Sequence, residues 1–385
     1  MINNCRVAIL GAGHAGRGLA AYLALHGFDV SLYNRTYENI KGVVRNRGLD
    51  VNGVIEGYAA IPIVTSKMGL AIKERDILIV TVPAQAHTFY ANEIAPHLES
   101  DQLILLMPGR TGGALEFNKI LRYHSNVDDI LLGEAQTFSF VSRTTGPSSV
   151  LISKIKNKVD VSAFPAVANR RFIRRLRCLP LKLELANDVL ETSLNNIGAM
   201  LHPTPTILCA GLLESRCGGY NHYLEAISRT VGNLIERIDA ERVDVARSFF
   251  VNPMTLLDWL KQSYDAERDT LYESIRSIDA YKGVGSPSTL DHRYVLEDIP
   301  TGLVPISYLG KLSGVKTPAM DSIVNIACQL YQTDFWGIGR TPRCFGLNGM
   351  TIPEIIEYVQ TGVRPVEYAR FHETWTVPGL EMDET

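Results

Sequence analysis

The chain has 385 residues, 46% hydrophobic and 21% charged, with a net charge of −3 at pH 7. That length exceeds the usual single-domain range and points to two domains, while the charge balance offers no positive field for nucleic acid or an anionic membrane. Six scattered cysteines (Cys5, Cys178, Cys209, Cys217, Cys328, Cys344) form no CxxC or regular spacing, so neither a disulfide framework nor a metal cage is expected, and reduced thiols in a cytoplasm fit best.

No apolar run reaches the roughly 20 residues of a membrane helix. The N-terminal "VAIL" is a strand-length run ending in glycines, not a signal-peptide core. Strand candidates at 6–10, 30–33, 77–82, 103–107 and 130–134 alternate with helical patterns such as 17–26 and 86–97, which reads as βαβ units around a parallel sheet.

The first strand and helix enclose "VAILGAGHAGRGLA", with glycines at 11, 13 and 16. In that context the spacing is a dinucleotide fingerprint. Gly11 allows the tight turn, Gly13 lets a pyrophosphate approach the backbone, and Gly16 lets the helix pack closely. The helix N-terminus then offers amide donors and a favourable dipole, with His14 and Ala15 inside the same loop. A merely glycine-rich turn is the alternative.

The second strand ends in "SLYNRT", where NAD-selective sites commonly carry an acid for the ribose 2′-hydroxyl. Asn34, Arg35 and Thr36 supply none. Asn34 hydrogen-bonds without repelling a phosphate, and Arg35 with Thr36 suits the 2′-phosphate of NADP, so NADP is expected and NAD stays possible. Arg35 as an ordinary surface charge is the competing reading.

"TVPAQAH" starts at the carboxyl end of the third strand, the edge where open α/β sheets bind ligands, so Val82 and Pro83 should pass near the cofactor. A proline there is also a plain strand terminator. "MPGRTGG" follows the next strand at the same edge. Two β-like runs, "SVLISKIK" and "KVDVSAFP", should close the sheet ahead of a basic helical segment at 166–178. Its Arg170, Arg171, Arg174, Arg175 and Arg177 have helical spacing and no interleaved aromatics, which reads as a solvated face rather than a nucleic-acid handle.

Beyond Pro180 long 3.6-period patterns replace the strands, as in "YLEAISRTVGNLIERIDAERVDVARSF". The boundary is therefore placed near residue 182: an α/β dinucleotide-binding domain over 1–182 and an all-α domain over 183–385, with disorder expected only in the acidic "EMDET" tail. The amphipathic helices of the second half leave a homodimer face open.

Nine histidines are spread along the chain. Most have ordinary settings: His14 in the glycine loop, His26 near a helix end, and His97, His124 and His372 in polar company. His202 differs, because it sits in "SLNNIGAMLHPTPTIL" just before Pro203. Proline disfavours helical geometry at the preceding residue, so the helix should stop near His202 and leave its ring at the negative end of the dipole. On residues alone the choice is between a helix cap and an acid/base group.

At this point five strings resemble the NAD(P)-dependent octopine/nopaline, or opine, dehydrogenase family: "PGRTGGALEF" at 108–117, "GEAQTFSFVSR" at 133–143, "NNIGAMLHP" at 195–203, "HRYVLEDIPTGLVPI" at 292–306 and "GRTPRCFGLNG" at 339–349. The resemblance implies a Rossmann-type doubly wound sheet followed by a helical substrate domain, with the active site between them. It also implies NAD(P)H-dependent reductive condensation of an amino acid amine with a 2-oxo acid such as pyruvate.

The family's acid/base histidine falls on His202, its carboxylate-binding arginine on Arg293, and the aspartate supporting the histidine on Asp298. Adjacent Glu297 could be the histidine's partner instead, and Arg293 could be a structural ion pair. Arg293, Asn196 and Thr137 form the expected substrate-binding set, with no metal. Asn195 and Asn196 could equally serve only to satisfy backbone. An amine-independent 2-oxo acid reductase and a non-catalytic NADP-binding sensor remain as alternatives.

Overall fold

The computed structural model describes residues 5–125, 127 and 129–365. The "EMDET" tail and His372 lie outside them. Within the described residues the strands are β1 (Arg6–Leu10), β2 (Asp29–Tyr33), β3 (Gly48–Gly53), β4 (Gly57–Ala60), β5 (Ile63–Thr65), β6 (Ile77–Val80), β7 (Leu103–Leu106), β8 (Leu131–Ala135), β9 (Phe140–Gly146), β10 (Ser149–Ile155), β11 (Val159–Phe164) and β12 (Leu183–Leu185).

Eight of them form one sheet in the order β12-β11-β8-β7-β6-β1-β2-β5. Its central strands are parallel, with Val7 opposite Val30 on one side and Ile77 on the other. β6 ("ILIV") and β7 ("LILL") are apolar at every position because both faces are covered. Alternate residues divide between two cores: Val7, Ile9, Ile77, Ile79, Leu103 and Leu105 go to one, and Ala8, Leu10, Leu78, Val80, Ile104 and Leu106 to the other. The chain passes from β1 outward to β2 and β5, then returns to β6 on the opposite side. That reversal opens a crevice at the carboxyl ends of β1 and β6, where such sheets take ligands.

The two runs expected to close this sheet part company. "KVDVSAFP" becomes β11 and pairs antiparallel with β8, but "SVLISKIK" becomes β10 and joins a second sheet in the order β4-β3-β10-β9. This small sheet packs on the helix that follows β1 (His14–Leu25) through Ile152 and Ser142, whose side chains reach the Gly18 position. A short strand also lies beyond Pro180: β12 adds in parallel to β11.

Helices follow from Val189 onward. The longest, Arg229–Ser248, begins at Ser228, whose hydroxyl accepts from the Val231 amide. It carries a fully buried Arg242, paired with Asp239 at 2.7 Å. Arg242 also donates to the Leu194 carbonyl at 2.8 Å and to the Met254 carbonyl.

The Leu194 contact explains a departure from the sequence expectation. The single helix expected up to His202 is two, Val189–Leu194 and Ile197–Leu201, broken at Asn195 where Arg242 takes the carbonyl that would otherwise continue the ladder. No helix of the described residues is long and apolar enough to cross a membrane.

Candidate active site

The glycine loop has the shape a dinucleotide requires. Gly11 sits at φ 119°, where an L side chain is strained, and a Cβ on Gly16 would lie 1.7 Å from the Gly11 carbonyl oxygen. At Gly13 the position a Cβ would take has no atom within 4 Å, so the backbone there is open to an approaching pyrophosphate. No side chain caps the helix His14–Leu25, which leaves its first amides directed at the same opening.

Neighbouring residues fix the loop. Asn34 Oδ1 accepts from the Ala12 amide at 3.2 Å. Arg17 donates to the carbonyls of Ala12 and Pro147 at 3.0 Å each. β9 holds the loop from the far side: Ser142 Oγ donates to the His14 carbonyl at 2.9 Å, and the Thr144 amide donates to His14 Nδ1 at 3.0 Å. Burial, then the charges of Arg143, Arg17 and Arg293, lower the His14 pKa, so the ring stays neutral and its Nδ1 is an acceptor.

Arg35 and Thr36 are exposed at the end of β2, with the Arg35 guanidinium 5.2 Å from the Phe89 ring centre. Ala15 is half-buried at the helix start. Val82 packs on Gly11, and Pro83 is exposed beside it.

The second cluster assembles where the sheet edge meets the helices. His202 Nδ1 lies 2.7 Å from Asp298 Oδ2. Asp298 is fully buried. Burial would raise its pKa, but Arg110, His202 and Arg293 outweigh it and hold the carboxyl at about 2. A carboxylate only accepts, so Nδ1 carries the proton and Nε2 is the atom left to exchange one. Glu297 is not the histidine's partner: it pairs with Arg110 at 3.2 Å and with Arg293 at 3.2 Å.

His202 does end a helix, but Pro203 at once starts the next, Pro203–Leu208, and the His202 backbone stays near helical at φ −98° and ψ −52°. One short helix thus ends and another begins at the same residue, so their dipoles oppose and the expected negative-pole effect loses its force. What holds the ring is Asp298 on its edge and Tyr294 on its face, stacked at 4.1 Å and 14°. His222 packs behind, its pKa lowered to about 3 by burial, His202 and His292.

Arg110 is the member that sequence reasoning left unnamed. It stands in "PGRTGG" at φ 60°, buried, donating to Glu297 and to Asn196 Oδ1 at 3.3 Å and facing Asp298 Oδ1 at 3.4 Å. The available signal was a lone cation between glycines at the ligand edge of a buried strand. Arg340, also buried, clamps this loop through the carbonyls of Gly109 and Thr111 at 3.0 Å each.

Asn196 uses both ends of its amide inside the protein, on Arg110 and on Thr111 Oγ1, so in the structure it positions Arg110. Arg293 is half exposed, and its charge reaches the glycine loop at His14. Thr137, two residues after β8, accepts from Lys156 Nζ at 2.8 Å. Among the described residues no group of His, Cys, Asp or Glu is placed to hold a metal.

Comparison with known proteins places the chain in a family. Residues 185–331 match the family model "NAD/NADP octopine/nopaline dehydrogenase, alpha-helical domain", and residues 7–133 match "Ketopantoate reductase PanE/ApbA". An opine dehydrogenase of Arthrobacter sp. (strain 1C) is 37% identical over 94% of this chain and 100% of its own length. Among solved structures, octopine dehydrogenase in complex with NADH and agmatine superposes with a TM-score of 0.77 at 20% identity, covering 94% of this chain and 99% of that one. NADP+-bound yersinopine dehydrogenase superposes at 0.70 and 15%, with the same coverage. This chain belongs to the octopine/nopaline dehydrogenase family, NAD(P)H-dependent oxidoreductases that join an amino acid's amine to a 2-oxo acid and reduce the product.

Proposed function

We propose that the chain is an NADP(H)-using opine dehydrogenase in which His202 is the acid/base residue, Asp298 orients it and Arg293 binds a substrate carboxylate. The observation that carries this reading is the His202–Asp298 contact of 2.7 Å, with the carboxylate fully buried and its charge sustained by Arg110. A dinucleotide would be held by Gly11, Gly13, Ala15 and Gly16, with Val82 and Pro83 along its flank. When bound it supplies the hydride.

The chain's own residues handle protons and position. Condensation of an amine with a 2-oxo acid loses water from a carbinolamine, which needs a proton delivered to the departing oxygen and one removed from nitrogen. His202 Nε2 serves both transfers, because Asp298 fixes the tautomer and stabilises the charged ring. Arg293, paired with Glu297 at 3.2 Å and half exposed, has a guanidinium that can still receive a carboxylate. Arg35, exposed and with no acid at 34–36, supports the 2′-phosphate of NADP. The NADP+ of yersinopine dehydrogenase and the NADH of octopine dehydrogenase show that relatives of this fold take either form.

The test is a matrix of amino acids against 2-oxo acids, run with NADPH and NADH in parallel and repeated without amine. Amine-dependent oxidation that falls about 10²–10⁴-fold in His202→Gln, with cofactor affinity retained, is the expected result. Equal turnover without amine would replace this reading with simple oxo acid reduction. Full activity in His202→Gln would remove His202 from the chemistry.

A further inference from the structure

The cluster around His202 does not account for a second concentration of charge on the same seam. Where the sheet edge meets the helix Leu256–Tyr264 lies a small cavity of about 90 Å³, open to solvent at its mouth. Lys154, Lys156 and Lys158 line it together, at the end of β10 and in the turn that leads to β11. Trp259 and Tyr264 form the opposite wall.

A hydrogen bond ties the lining of this cavity to the segment that carries the reacting centre. Gln136 and Thr137 in its lining follow β8 at the carboxyl edge of the sheet. Gln136 Nε2 donates to the Asn195 carbonyl at 2.8 Å, one residue before the Asn196 that holds Arg110.

The lysines are not equally neutralised. Lys158 is answered by Asp160 at 3.3 Å and Glu184 at 3.0 Å. Lys156 Nζ donates to Thr137, and Lys154 Nζ lies 4.7 Å from the Tyr264 ring centre. Among the described residues no carboxylate pairs with either. Burial first, then the charges of Arg110 and Lys154, lower the Lys156 pKa to about 8. An ammonium in that position is costly until an anion arrives.

Counting charges on the seam indicates the ligand. A neutral amino acid and a simple 2-oxo acid bring two carboxylates, one from each. Arg293, Lys156 and Lys154 are three cations with capacity to spare, and Trp259 with Tyr264 would cover a short methylene chain. We propose that this pocket takes a third, distal carboxylate, so that one of the two substrates is dicarboxylic: an acidic amino acid or a 2-oxo diacid. The proposal rests on the reductive condensation above and names its substrate class.

Four pairings test it. Glutamate is compared with glutamine against pyruvate, and 2-oxoglutarate with 2-oxohexanoate against alanine, each with NADPH and with NADH. The expected result is an acidic substrate preferred over its neutral counterpart by at least about tenfold in kcat/KM in one arm, and which arm identifies the substrate that carries the extra carboxylate.

In Lys156→Met that preference drops about tenfold. In Lys154→Gln, a change at an exposed position that leaves the fold intact, it drops about threefold. The KM of the preferred diacid rises as pH climbs through about 8, where Lys156 loses its proton, and the KM of the neutral counterpart does not follow. Arg110 and Lys154 act on this amine, and Asp160, Lys158 and Tyr264 line the same cavity, so the same pH series in Lys156→Met must lose that rise. Neutral substrates preferred in both arms, or a preference that both variants leave unchanged, would overturn the proposal while the condensation activity stands. No turnover with any pair would remove that activity, and the proposal with it.

Discussion

The glycine loop and the His202 cluster share one edge of the sheet and are built in opposite ways. The loop is local: three glycines within six positions make the turn, the opening and the helix contact, and its backbone does the binding. The cluster is assembled from side chains 96 and 187 positions apart, buried, and held by charge. The first kind of site is specified by spacing and tolerates its surroundings. The second depends on every member, because each charge is kept buried by its partners.

The sharpest test of that difference is Arg110→Leu. It leaves Asp298 and Glu297 as two adjacent buried carboxylates without their shared cation. Removing one partner from a buried pair costs about 3–5 kcal/mol, so urea unfolding should show a loss of that order. The Asp298 pKa should rise with it, sign included: a carboxyl whose folded pKa is depressed contributes stability above its unfolded value of roughly 3.9 and loses it as pH falls. Acid unfolding of the variant should therefore flatten between about pH 4 and 2. An Arg110→Leu protein as stable as the parent, with the same acid profile, would mean the cluster is less interdependent than its geometry indicates.

Gly16→Ala should act on the other region by a steric route. Its methyl would meet the Gly11 carbonyl at 1.7 Å, and overpacking of this kind costs about 1–3 kcal/mol. Cofactor titration should show affinity weakened about tenfold or more, with the His202 pair unaffected. The smallest expected effect is Arg35→Ser. Losing one charge-assisted bond should weaken NADPH about tenfold and leave NADH nearly unchanged. Equal losses for both cofactors would reassign Arg35 to the surface.

The contrast also governs what could be read in advance. β6, β7 and all of β1 after Arg6 were legible because strands covered on both faces must be apolar where they are buried. The second sheet was not, since β3 ("GLDVNG") and β4 ("GYAA") are short and glycine-rich and gain their order from pairing with each other and with the distant β10. The helix break at Asn195 had no local signal, because its cause, Arg242, lies 48 residues along the chain from Leu194. His202 was noticed for its proline, yet what holds the ring is a carboxylate and a tyrosine from another segment. Arg110 went unnamed because its meaning is in Glu297 and Asp298.

The grip of β9 on the glycine loop bears on how this fold can change. Ser142 and Thr144 set the height of the helix start through His14, although they contribute no group to the opening at Gly13. The hairpin of β9 and β10 is therefore a shim. Insertions or deletions within it would register first in how tightly the dinucleotide is held, while the sheet beneath stayed intact. A hairpin, the kind of element whose length usually drifts, is in this way coupled to cofactor affinity, and grafting it between relatives offers a means of tuning that affinity without touching the glycines.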